Sequence, residues 1–347
     1  MGVETLRLLL TGTFFFAIPA IAADGAEAPS GLQTNVVFSD YSPLSRAPEL
    51  ERRLFSPLLA LQTNAAIAQS GREVREQSID LGQETFAVYV PPARPQNGYA
   101  LLVFVLPWPG ASVPPRWTAG LDKHDMIFVT AVNSGNEASV LDRREPLALL
   151  AAYNVMQRYR IDPARVYVGG LSGGSRVALR LALAYPDLFR GALLNAGSDP
   201  VGTAQIRLPP AELMHQFQES SRLVYLTGKQ DALNLDLDVH SRDSMQSWCV
   251  FDIDTETVAW TGHEVVNAVA FRRGLDALER HDRAPTEKLA SCRRRCEQDL
   301  DEKLRQVEAL QASGKTDAAA ALLEAIDQRF GGLAAPRSVE LAQCLHH

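Results

Sequence analysis

The sequence is poor in the residues on which several functional classes depend. It holds four cysteines and seven histidines among 347 residues, and its 34 Lys and Arg residues are outnumbered by 41 Asp and Glu, for a net charge of −7. A chain without positive excess gives no electrostatic reason to bind nucleic acid or an anionic membrane surface. We therefore predict no nucleic-acid partner.

Long apolar runs are also scarce. The one candidate, residues 8–21, follows Arg7, is interrupted by polar residues and Pro19, and ends in Ala20-Ile21-Ala22, a small-x-small pattern. A bilayer span needs about 20 apolar residues, whereas a short run with this ending is typical of a cleavable signal peptide. We predict that residues 1–22 are a signal peptide, with a membrane anchor as the alternative. The mature chain is then periplasmic or secreted, without a stable membrane span.

Export predicts that the four cysteines form disulfides, because oxidising compartments favour them. Cys292 and Cys296 lie on one face of a predicted helix, with Cβ atoms about 6 Å apart, whereas a disulfide needs about 3.8 Å. We expect each to pair elsewhere, one with Cys249 and the other with Cys344. A zinc site is the alternative, but the paired C-x₂-C clusters typical of one are missing, so no metal is predicted.

What the sequence does contain is an alternation of strands and helices from residue 78 to 282. Residues 85–90 alternate in polarity and end at Pro91-Pro92, like an antiparallel edge strand. Further strands are predicted at residues 100–106, 126–132, 165–169, 191–195, 222–227 and 250–257, and helices at 146–159, 176–185, 237–248 and 264–279. Such alternation predicts an α/β fold whose mostly parallel sheet is covered by helices on both faces.

The flanking segments lack this alternation. Residues 23–77 are interrupted by prolines and are interpreted as an N-terminal extension. Residues 283–347 show helical spacing broken at Gly314 and are interpreted as a helical hairpin with a tail. The sequence identifies no protein partner for this hairpin.

A candidate nucleophile lies where the fourth predicted strand meets a helix. Gly170-Leu171-Ser172-Gly173-Gly174 fits the pattern G-x-S-x-G, and a strand, a tight turn and a helix are the setting of a nucleophile elbow. The alternative is a glycine-rich turn of an unrelated doubly wound protein. No G-x-G-x-x-G opens the helix, so a dinucleotide is a poor fit, and no cofactor is predicted.

A serine hydroxyl needs a general base, and the base needs an orienting carboxylate. His263 follows a predicted strand on the short loop Thr261-Gly262-His263, which makes it the candidate base. Of the other histidines after Ser172, His215 and His240 fall in helical stretches, and His281 follows the helix after His263 and comes too late. His346 and His347 lie in the tail.

The candidate acid is Asp231, which follows the strand at residues 222–227 after a short loop. Asp199, one strand earlier, is the competitor. Asp236 and Asp238 are interpreted as first-turn carboxylates of the next helix.

Two backbone N–H groups must stabilise the oxyanion. Gly173, next to the nucleophile, supplies one. The other is expected from the loop after residues 100–106, where Pro107 and Pro109 have no N–H. Trp108 is the first choice and Gly110 the alternative.

These motifs resemble those of secreted α/β-hydrolase esterases, a group that includes polyhydroxybutyrate depolymerases and feruloyl esterases. The resemblance covers about residues 78–282 and rests on GGLSGG, TGKQD and TGHEV. It implies an α/β-hydrolase fold and a Ser172–His263–Asp231 triad that cleaves small-molecule or polymeric esters through an acyl-enzyme. The chain departs from the family at Leu106-Pro107-Trp108-Pro109-Gly110, where such enzymes usually carry His-Gly.

Two other functions stay open. The prolyl-oligopeptidase-like peptidases share the motif order, although the roughly 55 residues before the sheet are too few for a propeller. A non-catalytic interaction protein, with the hairpin as its binding element, is the third possibility.

Overall fold

The computed structural model describes residues 29–280 and 286–345. The predicted signal peptide lies outside these residues. An eight-stranded sheet in the order β1-β2-β4-β3-β5-β6-β7-β8 forms the centre. Its strands are β1 (Gly31–Val36), β2 (Phe86–Val90), β3 (Tyr99–Val105), β4 (Met126–Ala131), β5 (Ile161–Leu171), β6 (Gly191–Asn195), β7 (Arg222–Gly228) and β8 (Ile253–Val258).

Eleven α-helices are described around and after the sheet. They are α1 (Ala47–Leu54), α2 (Pro57–Ser70), α3 (Thr118–Lys123), α4 (Glu145–Arg158), α5 (Gly173–Ala184), α6 (Ala211–Ser220), α7 (Ala232–Ser247), α8 (Ala268–Leu278), α9 (Thr286–Ala312), α10 (Thr316–Phe330) and α11 (Arg337–Leu345). Of these helices, α4, α5 and α8 make the most extensive contacts with the strands.

The sheet has the topology of an α/β hydrolase. Strands β3 to β8 run parallel, whereas β2 pairs antiparallel with both β1 and β4. Along β3, Leu101 and Val103 belong to one core, and Leu102 and Phe104 to a second core. This alternation places one core on each face, and a sheet buried on both faces explains the nearly continuous apolar runs. The predicted fold class is confirmed.

The sheet begins earlier than predicted. β1 lies within the segment interpreted as an N-terminal extension and covers β2, so β2 is antiparallel as expected but is not the edge strand. The six residues of β1 (GLQTNV) show a weak apolar pattern, with Leu32 57% exposed, which explains why no strand is predicted there from the sequence.

The predicted C-terminal hairpin is present as α9 packed against α10. The segment interpreted as a tail contains a further helix, α11, which contacts α2 and α9. We call α2, α9, α10 and α11 together the helical clamp. It joins α2, near the start of the described residues, to the C-terminal hairpin: Asp327 on α10 is 1% exposed, and it accepts hydrogen bonds from the Ser56 hydroxyl and from the Leu58 N–H (3.0 Å) at the start of α2.

A disulfide joins the clamp to the sheet region. Cys249, just after α7, is bonded to Cys292 on α9. This confirms the expected disulfide between Cys249 and one of the two cysteines of this helix. The other expected pairing, between the remaining cysteine of α9 and Cys344, was wrong: Cys296 and Cys344 are both free. The cause is the shared helix face, which turns Cys296 toward Cys249 as well, with the two sulfur atoms 3.9 Å apart.

The described residues contain no helix that combines the length and the hydropathy required to traverse a bilayer.

Candidate active site

Ser172 occupies a strained turn between β5 and α5. Its φ of 55° and ψ of −122° lie outside the backbone regions that residues other than glycine usually adopt. The turn requires glycine on both sides, since a Cβ on Gly170 would lie 2.3 Å from the Gly174 carbonyl carbon, and one on Gly174 would lie 2.0 Å from the Val105 oxygen. The local sequence therefore permits the tight turn in which β5 ends at Leu171 and α5 begins at Gly173, with Ser172 between them.

Three of the predicted site residues lie in one hydrogen-bonded row. The Ser172 hydroxyl oxygen is 2.9 Å from Nε2 of His263, and Nδ1 of His263 is 2.6 Å from Oδ2 of Asp231. Ser172 follows β5, Asp231 follows β7 and His263 follows β8. The carboxyl ends of parallel strands meet at one edge of a sheet, so residues 91 and 32 positions from His263 converge there.

Asp231 is the N-cap of α7, which begins at Ala232, five residues before the predicted start. Its side chain is 6% exposed, whereas that of His263 is 46% exposed. Burial raises the pKa of Asp231, but hydrogen bonds from the Asn234 side chain, His263 and the Asn234 N–H hold that pKa below its ordinary value. A buried carboxylate kept ionised suits the task of orienting an imidazole.

The competing residues are engaged elsewhere. Asp199 accepts a hydrogen bond from Nε of Arg176 at 3.0 Å. Asp236 and Asp238 lie in the second turn of α7 rather than the first; Asp238 is buried and bonds to Ser198 and Thr227.

His215 lies on α6 and His240 on α7, where it pairs with Asp236. His281, His346 and His347 lie outside the described residues.

The loop after β3 carries Trp108, the predicted second oxyanion donor. Hydrogen bonds that its carbonyl oxygens accept hold this loop in place. Leu106 O accepts from Arg144 (3.3 Å), Pro107 O from the Asn136 N–H (2.9 Å) and Pro109 O from the Asn133 N–H (2.6 Å). Among the described residues, no acceptor is bonded to the Trp108 N–H, and the Trp108 side chain is partly exposed. These contacts leave the Trp108 N–H available.

Sequence reasoning missed Asn136, which lies between the Trp108 loop and Gly173. Its backbone N–H donates to the Pro107 carbonyl oxygen, and its Oδ1 lies 2.1 Å from the position that a Cβ on Gly173 would take. Asn136 thus packs against both the Trp108 loop and the start of α5. An exposed asparagine after a buried strand carries no sequence signal for this contact.

Asn234 was also missed. Its side-chain nitrogen lies 2.9 Å from each carboxylate oxygen of Asp231 and 3.0 Å from Nδ1 of His263. Its position three residues after the acid is the only trace of this role in the sequence.

Potential metal ligands gather away from this row. In the parts of the chain that the structure describes, one group of three suitable side chains was found, Cys249, Cys292 and Cys296, and two of these are joined in the disulfide.

Comparison with known proteins gives short alignments. No protein-family model matches the chain. A poly(3-hydroxybutyrate) depolymerase of Ralstonia pickettii is 41% identical over 66 residues, which are 19% of this chain and 14% of that protein. A poly(3-hydroxyalkanoate) depolymerase C of Paucimonas lemoignei is 48% identical over 44 residues, which are 13% of this chain and 11% of that protein. The resemblance to this group of depolymerases is confirmed, although the alignments span less than a sixth of either relative.

Solved structures align with about half of the chain at low identity. An S-formylglutathione hydrolase from Staphylococcus aureus has a TM-score of 0.42 and 15% identity, covering 56% of this chain and 93% of its own. A ferulic acid esterase has a TM-score of 0.41 and 15% identity, covering 56% of this chain and 90% of its own.

Proposed function

We propose that this chain is an exported serine hydrolase that cleaves carboxylic esters through an acyl-enzyme. The observation that carries the proposal is the row of hydrogen bonds from Ser172 through His263 to Asp231, with distances of 2.9 and 2.6 Å. Both distances lie within the reach that nucleophile activation requires.

In the proposed reaction, His263 Nε2 takes the proton of the Ser172 hydroxyl while the serine oxygen bonds to the ester carbonyl carbon. Asp231 accepts a hydrogen bond from the Nδ1–H of His263, which keeps its proton, and the carboxylate stabilises the imidazolium that forms. The N–H groups of Gly173 and Trp108 are the proposed donors to the oxyanion. His263 then protonates the departing alcohol, and a water molecule, activated by the same histidine, releases the acid.

Carboxylic esters are the proposed substrates for two reasons. The two curated relatives are named as polyester depolymerases, and the sequence resembles secreted esterases. Export is proposed because residues 1–22 have the pattern of a signal peptide and because the Cys249–Cys292 disulfide is favoured in an oxidising compartment.

The test uses the full mature chain with p-nitrophenyl acyl esters, aminoacyl anilides and oligomers of 3-hydroxybutyrate. We expect ester turnover, no anilide turnover, and covalent labelling by a fluorophosphonate that peptide mapping assigns to Ser172. Ser172→Ala is the control that must lose both signals. Turnover of anilides but not esters would favour a peptidase, and neither turnover nor labelling would favour a non-catalytic interaction protein.

A further inference from the structure

The proposed catalytic acid has a polar neighbour that a three-residue triad does not require. Asn234, the third residue of α7, is only 5% exposed. Its Nδ2 lies 2.9 Å from Oδ1 and 2.9 Å from Oδ2 of Asp231, and its backbone N–H is 3.4 Å from Oδ1. One residue thus contacts both oxygens of the carboxylate.

The chemistry of the contact fixes which end of the amide faces Asp231. An ionised carboxylate only accepts hydrogen bonds, so the amide NH₂ must face it, because the reversed amide would set an oxygen against two oxygens. The 2.6 Å separation of His263 Nδ1 from Oδ2 requires a proton on Nδ1 for the same reason. Asn234 and His263 are therefore both donors to one carboxylate, and their nitrogens pack 3.0 Å apart.

We propose that Asn234 is a positioning residue of the triad, and this inference rests on the proposed function. Its amide prevents the Asp231 carboxylate from rotating and keeps Oδ2 directed at Nδ1 of His263. The side chain of His263 is 46% exposed. Because protein packing covers only about half of it, its hydrogen bond to Asp231 contributes much to its orientation. Holding the acid still is then a means of holding Nε2 toward Ser172.

Electrostatics supports the same role. Burial raises the pKa of Asp231, and the Asn234 side chain supplies the strongest of the hydrogen bonds that lower that pKa below its ordinary value. Without the amide donors, Asp231 takes up a proton at higher pH, and the support for the Nδ1–H form of His263 is lost.

The kinetic test is Asn234→Leu, which keeps the approximate shape of the side chain and removes both donors. Gln246→Leu is the matched control, because it also replaces a side-chain amide by leucine, at an exposed position of the same helix. With active sites counted by fluorophosphonate titration, we expect Asn234→Leu to lower kcat about 10- to 100-fold with little change in KM. The acid limb of its kcat/KM profile moves to higher pH. If kcat per folded site and the pH profile of kcat/KM were both unchanged in Asn234→Leu, the positioning role would be wrong and Asn234 would serve only in packing.

A second variant and a spectroscopic measurement separate this proposal from the proposed function. In Asn234→Asp, a protonated carboxyl can donate to Asp231, so we expect partial recovery relative to Asn234→Leu only at the acid end, where the two carboxyls share a proton. In proton NMR spectra, the His263 Nδ1 proton, assigned with His263→Ala, is expected far downfield in the native chain and in Gln246→Leu. It is expected to be lost or shifted in Asn234→Leu.

If the native chain turns over no ester, the proposed function fails, but the NMR comparison still decides whether Asn234 orders the Asp231–His263 pair. A downfield signal that is identical in Asn234→Leu would overturn the positioning role, whatever the enzyme hydrolyses.

Discussion

The proposed catalytic edge of the sheet, where Ser172, Asp231 and His263 meet, and the helical clamp are held together by different forces. Ser172, Asp231, Asn234 and His263 lie on short loops or helix ends and meet through hydrogen bonds, with the His263 side chain 46% exposed. The clamp is held by apolar burial, by the Cys249–Cys292 disulfide and by the buried Asp327. Its fully buried apolar residues include Leu304, Val307, Leu323, Ile326 and Phe330.

The difference suggests that rate and stability reside in separate parts of this molecule. Changes at the catalytic edge remove polar contacts around a half-exposed residue and bury or expose little apolar surface, so they should alter kcat more than the free energy of unfolding. Changes in the clamp should do the reverse.

The largest effect is expected from Ser172→Ala, which removes the nucleophile. We expect kcat to fall by about a millionfold, as for the loss of the serine in other triads, with the melting temperature nearly unchanged. Ester turnover and thermal unfolding, measured on the same preparation, test both halves of the comparison. Undiminished turnover would show that the elbow is misassigned, and a large drop in melting temperature would break the separation of rate from stability.

The next effect distinguishes the two candidate acids. Asp231→Asn should lower kcat about ten-thousandfold, because the neutral amide no longer fixes the imidazole in the required tautomer. Asp199→Asn should lower kcat less than about tenfold, since Asp199 bonds to Arg176 on α5 rather than to His263. Steady-state kinetics of the two variants decides between them, and the reverse order of effects would move the acid one strand upstream.

The same contrast explains what could be predicted from the sequence. Ser172, Asp231 and His263 each lie just beyond the carboxyl end of a strand, and parallel strands bring such positions to one edge, so local pattern and fold together indicate them as candidates. The mostly parallel sheet follows from the same alternation of strands and helices. β1, with its weak apolar pattern, could not be recognised before its pairing with β2 was known.

The remaining features depend on contacts between distant residues. Ser56 and Asp327 are 271 residues apart, and nothing near either one indicates that α10 caps α2. Asn136 and Asn234 act through amide groups whose orientation depends on tertiary geometry. The error about Cys344 has a similar origin, because helical spacing places Cys296 on the face of Cys292 but does not say which distant cysteine that face meets.

In the clamp, the largest loss of stability is expected from Cys249→Ser. The disulfide closes a loop with a sequence separation of 43 residues, and its loss should lower the free energy of unfolding by about 2–4 kcal/mol. Cys292→Ser should cost less, because Cys296 lies 3.9 Å from Cys249 and can replace the lost partner under oxidising conditions. Denaturant unfolding and disulfide mapping check this order, and kcat per folded molecule should stay at the native value in both variants. Equal losses in the two variants would mean that Cys296 does not substitute.

The smallest effect concerns Asp327, and it has a pH dependence of known sign. Asp327→Ala removes the acceptor of the Leu58 N–H and of the Ser56 hydroxyl, which should lower the free energy of unfolding by about 1–3 kcal/mol.

Burial raises the pKa of Asp327 despite the hydrogen bonds from Ser56 and Leu58, so the folded chain holds this proton more tightly than the unfolded chain. Between the ordinary carboxyl pKa and the higher folded one, stability therefore falls as pH rises. Asp327→Asn retains an acceptor for the Leu58 N–H and cannot titrate, so its unfolding free energy should lack this contribution to the pH slope while kcat stays unchanged. A slope identical to that of the native chain would show that the proton is not taken up at Asp327, and a loss of kcat would show that the clamp and the catalytic edge are coupled after all.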